Sequence, residues 1–113
     1  MITNLEISNC SQLVEIDLAF LLYMKSLSVS DCPQLKKLNC IRSQLNNLYL
    51  NNNNQLIELN CSGNKLTELD VSNLNKLISL DCSENLIRDL NINLCLEITE
   101  LNCSNNQLNN WWW

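Results

Sequence analysis

The chain has 113 residues, 46% hydrophobic and 17% charged, with a net charge of −5, one Gly, one Pro, seven Cys and no His. That length suits one domain with one core, and an acidic balance without a basic cluster works against nucleic acid or an anionic membrane as partner. The longest mainly apolar run, Leu18 to Met24, is far short of the roughly 20 residues that cross a bilayer, and Met1 to Ser11 has no cationic segment leading into an apolar one, so neither membrane insertion nor a secretion signal is expected.

In chain order, the first element is a partial unit whose second half, LEISNCSQL from Leu5, returns as LSVSDCPQL from Leu27, LYLNNNNQL from Leu48, LDVSNLNKL from Leu69 and LNINLCLEI from Leu90. The first full coil runs LVEIDLAFLLYMKSLSVSDCPQ from Leu13 and is one residue longer than its successors. Its Phe20, Tyr23 and Met24 make it bulky, as terminal coils often are, and Leu22 or Leu21 stands where later coils carry a polar residue. A short amphipathic helix over Ala19 to Lys25 is the competing reading, but the spacing from Met24 to Leu27 matches that from Leu45 to Leu48 and favours the repeat. There follow LKKLNCIRSQL from Leu35, LIELNCSGNKL from Leu56, LISLDCSENLI from Leu77 and ITELNCSNNQL from Ile98, all on one template, L-x-x-L-x-C-x-x-N-x-L, that returns at a fixed interval. A period of about 21 residues is that of a stacked solenoid.

Within each stretch alternate residues are apolar, the period of a strand with one buried face, so Leu59 and Cys61 point inward and Asn60 outward. Leu69 and Val71 likewise point inward and Asp70 outward. Each coil thus holds two short strands, and half a coil from one strand to the next leaves no room for an ordinary helix. The expected fold is a β-rich solenoid of about five coils of about 21 or 22 residues, one domain over 1–113, with extended or 3₁₀ return segments and little or no α-helix. Outward Asn60 is expected to be replaceable for under about 0.5 kcal/mol.

Cys40, Cys61, Cys82 and Cys103 lie one repeat apart and read as reduced core hydrophobes. A zinc site needs four ligands converging on one point, whereas one Cys per coil forms a line. Ser43, Asn64, Asn85 and Asn106 form a second column, expected to satisfy backbone groups where the coil turns a corner. The sequons at Asn9, Asn60 and Asn102 follow from the recurring N-C-S text. Without His, a nucleophile elbow or a phosphate loop, the chain is expected to be no enzyme and to need neither cofactor nor metal. Unpaired core thiols lean towards a reducing compartment.

These units, over about Leu13 to Leu108, resemble the leucine-rich-repeat family, and the 21-residue length with LTELDVSNLNKL is most similar to the short repeats of bacterial internalin-like surface proteins. Two departures are Cys where the family usually has Leu and a return segment without the Pro common in internalins. The resemblance implies a right-handed solenoid with a parallel sheet on its concave face that binds proteins, flanking caps that are missing here, and a cell-surface location at odds with the thiols. The candidate binding face on that pleat is Lys37, Asn39, Arg42, Glu58, Asn60, Ser62, Ser79, Asp81, Ser83, Glu100, Asn102 and Ser104. The leading expectation is a protein-protein interaction module using that face for an unidentified protein partner. The alternative is an assembly unit that stacks end to end through uncapped coil edges, with Trp111 and Trp113, both inward by register, as end contacts.

Overall fold

The computed structural model describes residues 2–109; Trp111 and Trp113, with the end contact expected of them, lie outside the described residues. The chain winds as a β-solenoid of about five turns, with strands β1 (Asn4–Ser8), β2 (Glu15–Asp17), β3 (Ser26–Ser30), β4 (Lys37–Asn39), β5 (Asn47–Asn51), β6 (Glu58–Asn60), β7 (Ser79–Asp81) and β8 (Glu100–Asn102). No helix occurs among the described residues, and Ala19 to Lys25 is turn and irregular chain.

All strand pairs are parallel. One sheet has the order β2-β4-β6-β7-β8, the other β1-β3-β5. Register follows the repeat: Leu38 pairs with Leu59, Leu59 with Leu80 and Leu80 with Leu101. The pairing of Ile16 with Leu38 spans the longer first turn, so the extra residue is absorbed between the strands and not within them. The two sheets back onto a single core of Leu columns, in which Leu35, Leu45, Leu56, Leu59, Leu66, Leu77 and Leu80 are fully buried. The molecule measures 37 × 30 × 17 Å, and its least dimension holds two sheets about 10 Å apart and no third layer.

The return side, expected as short extended or 3₁₀ segments, is a real three-stranded sheet over the first three turns and then stops. The outward residue of its L-x-V motif changes at the same place. In β1, β3 and β5 it is Glu6, Ser28 and Tyr49, but in the next two turns it is Asp70 and Asn91. Asp70 Oδ1 accepts the Ser72 amide at 2.9 Å and Asn91 Oδ1 the Asn93 amide at 2.9 Å. Each is an Asx turn, but the same bond follows every paired strand of the other sheet, so it accompanies the loss of pairing without accounting for it.

Because Leu59 and Leu80 each face Leu side chains above and below, truncation opens a cavity that neighbouring turns cannot fill. Leu59→Ala and Leu80→Ala are each expected to cost about 2 to 5 kcal/mol in urea unfolding, against under about 0.5 for exposed Asn75→Ala. Similar costs for Leu80 and Asn75 would mean that the inward register is wrong.

Candidate functional site

The outer face of the five-stranded sheet carries three columns of side chains at strand spacing. The first reads Glu15, Lys37, Glu58, Ser79 and Glu100, all exposed except half-buried Ser79. Lys37 Nζ lies 3.9 Å from Glu58 Oε2, with both side chains about half exposed, so solvent screens the pair and it adds little stability. Glu15, Lys37, Glu58 and Ser79 of this column, with Asp17, Asn39, Asn60 and Asp81, line a shallow groove of about 330 Å³.

The second column, Asp17, Asn39, Asn60, Asp81 and Asn102, is not free for a partner in the way its outward direction suggests. Each Oδ1 accepts the amide two residues on: Ala19, Ile41, Ser62, Ser83 and Ser104, at 3.1 to 3.3 Å. Ser83 and Ser104 also donate their hydroxyls to Asp81 and Asn102. These bonds turn the chain out of each strand, so Asn60 is no inert surface residue. The expectation that it is replaceable for under about 0.5 kcal/mol is corrected upward, towards the ~1 kcal/mol of a net hydrogen bond.

Two other candidates also sit differently. Ser83 is buried rather than presented on the face, and Ser62 is half-buried. Arg42 stands at the corner beyond the pleat, where the backbone takes a left-handed turn in every coil, at Phe20, Arg42, Gly63, Glu84 and Asn105. Its guanidinium crosses one turn to reach Glu84 at 3.5 Å. Between them lies Gly63 at φ 70°, where an added Cβ would stand 2.8 Å from Arg42 Cγ. The chain's single Gly thus meets both a left-handed backbone and a crossing side chain.

Behind the corner, the expected polar column is present. Asn64 Oδ1 accepts the amides of Ser43 and Leu45 in the preceding turn, and its Nδ2 donates to the carbonyls of Cys40 in that turn and of Cys61 and Ser62 in its own. Asn85 and Asn106 repeat the pattern, bonding Leu66 and Ile87 through Oδ1 and the Cys61 and Cys82 carbonyls through Nδ2. Ser43 makes a shorter version to Leu21 and Leu18, which identifies Leu21 as the first turn's corner residue. On the opposite side Asn53, fully buried, takes the Cys32 amide and donates to the Val29 carbonyl. Sequence reading passed over Asn53 inside the run Asn51 to Asn54. Aligning LYLNNNNQL with LSVSDCPQL puts it in the column of Cys32 and was the signal that could have found it.

Cys40, Cys61 and Cys82 are buried and Cys103 half-buried, all reduced. Burial pushes the Cys40 and Cys82 thiols up to about 12, with the thiol of Cys103 and the carboxylate of Asp81 adding to the effect at Cys82. Burial, then the Cys40 and Cys82 thiols and Asp81, raise Cys61 well above the usual thiol range. Such groups are poor nucleophiles. Among the described residues no three His, Cys, Asp or Glu side chains are grouped to hold a metal ion.

Comparison of the chain with family models, with curated proteins and with solved structures found no match. The functional reading therefore rests on the geometry of the sheet and its columns.

Two outcomes follow from the columns. Asn64→Ala strands several buried backbone groups at once, so it is expected to cost about 3 kcal/mol or more, against about 0.5 to 1.5 for Asn60→Ala, in denaturant titrations. Equal costs would deny the corner amide its role. The second outcome is alkaline. Cys40 and Cys82 titrate at about 12 when folded and near 9.0 when unfolded, so both are neutral in both states below about pH 9 and their stabilisation is fully present there. Between about 9 and 12 the unfolded chain ionises first, and stability falls by roughly 1.4 kcal/mol per pH unit for each thiol. Urea midpoints measured from pH 8 to 11 are expected to fall more steeply for the parent than for a Cys40→Val/Cys82→Val variant; identical slopes would contradict the buried-thiol account.

Proposed function

We propose that the chain is a leucine-rich-repeat-type interaction module, similar to the short internalin-like class, that binds a protein partner through the outer face of its five-stranded sheet. The observation that carries the reading lies within the chain itself. Inward columns repeat almost without change: Ile16, Leu38, Leu59, Leu80, Leu101, and beside it Leu18 followed by four Cys. The outermost column changes chemistry from turn to turn, as Glu15, Lys37, Glu58, Ser79 and Glu100. A scaffold needs sameness inside, while recognition needs a varied, rigidly spaced set outside.

End-to-end assembly is a second reading, favoured by one observation: Leu5, Ile7, Leu13 and Leu18 at one end, and Ile98, Leu101, Cys103 and Leu108 at the other, are only partly buried core residues. Open coil edges of this kind can accept another coil.

A photo-crosslinking side chain placed at Lys37 or Ser79, compared with one at Tyr49 on the opposite sheet, separates the readings in extract of the source cell. The interaction module gives one dominant cross-linked partner from Lys37 and Ser79 and none from Tyr49. Labelling only from Tyr49, or a mass by light scattering that rises with concentration while no face adduct forms, sinks it in favour of the return side or of stacking.

A further inference from the structure

The aromatic and aliphatic anchors that the sheet face lacks are gathered at one corner of the first turn. There Phe20, Leu21, Leu22, Tyr23 and Met24 replace the Arg42-Ser43-Gln44-Leu45 and Gly63-Asn64-Lys65-Leu66 of later turns. The extra residue of that turn falls between Leu21, which holds the corner place, and Lys25, which is level with Asn46, and the Met24 amide closes a tight turn onto the Leu21 carbonyl at 3.2 Å. The insertion swings side chains outward: Phe20 is 58%, Leu22 63% and Tyr23 61% exposed, with Ile2 at 66% beside them. None of these four serves the core, so packing does not account for them. A contiguous exposed apolar patch with aromatic members is the usual mark of an interaction surface.

Two depressions meet at Leu22 and Tyr23. One, of about 360 Å³, is lined by Ile2, Leu5, Leu18 and Leu21 and is almost wholly apolar. The other, of about 340 Å³, is lined by Thr3, Gln44 and Asn46 with Lys25 and Lys65. No carboxylate lines either one. The ion pairs of the described residues are Lys37 with Glu58 and Arg42 with Glu84, so Lys25 and Lys65 carry no carboxylate partner. In a chain of net charge −5, an apolar hollow that adjoins, across Leu22 and Tyr23, a depression holding two ammonium groups without a carboxylate partner has a definite complement.

We propose that this first-turn corner docks a protein segment that presents apolar side chains flanked by carboxylates. An apolar anchor fills the hollow between Ile2, Leu5 and Leu22, the Tyr23 ring borders it, and the acidic flank meets Lys25 and Lys65 in the adjoining depression. The negative charge elsewhere repels such a segment from the rest of the surface, so the two lysines also set where it lands. This surface is independent of the sheet face and stands without it.

Fluorescein-labelled peptides EDLWLDE, KKLWLKK and EDSGSDE, titrated by anisotropy against the full chain, test the proposal. EDLWLDE is expected to bind at least tenfold more tightly than the other two, with affinity falling as salt rises. Leu22→Asp and Lys25→Glu/Lys65→Glu, all exposed positions, are each expected to weaken it at least tenfold with the circular dichroism spectrum unchanged, while Glu58→Lys on the sheet face leaves it as it was. Equal or tighter binding of KKLWLKK, or no binding of EDLWLDE, overturns the proposal. So does a concentration-dependent mass of the free chain that Leu22→Asp abolishes, which would give the corner to a second copy. Loss of binding in Glu58→Lys but not in Leu22→Asp would instead place recognition on the sheet.

Discussion

A coil that turns a corner twice in every repeat around a dry interior leaves backbone amides and carbonyls that no strand ladder can satisfy, and the fold depends on how those groups are met. A Leu-only interior would leave them stranded. Asn64, Asn85 and Asn106 solve the problem with one planar side chain each, accepting on one atom and donating on the other. No buried side-chain nitrogen or oxygen lacks a partner among the described residues. The cysteine column runs beside the same device. The first turn, whose corner residue is Leu21, carries Leu18 where the turns with a polar corner residue carry the smaller Cys40, Cys61, Cys82 and Cys103.

Corners also impose a backbone cost. Each coil passes through a left-handed residue, and Phe20, Arg42 and Glu84 occupy that conformation with side chains that do not favour it, at roughly 1 to 2 kcal/mol each. Asn9, Asp31, Asn52, Asn105 and Gly63 take it more easily. The strain persists because the strands before and after each corner are held by ladders and the amide column. It also aims Phe20 and Arg42 away from the core, which is why polar and aromatic chemistry collects along this edge.

Much of the fold was legible in the sequence because one physical signal was repeated. Leu38, Leu59, Leu80 and Leu101 recur at the turn period and sit in register on neighbouring strands, so period, inward face and strand count were set together. The outward side was harder to read. Alternation says that Asn60 and Asp81 leave the core but not that their oxygens curl back to cap the chain two residues on. It placed Ser83 on the surface, whereas the side chain is buried with its hydroxyl bonded to Asp81. Arg42 belongs to a corner, not a strand, and period-two reasoning has no term for corners. The return sheet ends after β5 although the L-x-V pattern continues through Leu69 and Leu90, a difference that hydropathy does not register.

The corner amides have a direction. Asn64 closes the turn that holds Ser43 and Leu45, Asn85 closes the turn that holds Leu66, and Asn106 the turn that holds Ile87. Each seal therefore lies nearly a whole repeat downstream of the groups that it seals. A ribosome releases a chain from its N-terminus, so a coil emerging during synthesis stays with bare corner amides until the following coil has appeared and swung its Asn back. Growth of the native stack must then trail the nascent chain by a full coil. The youngest coil is always the one least able to hold its own shape.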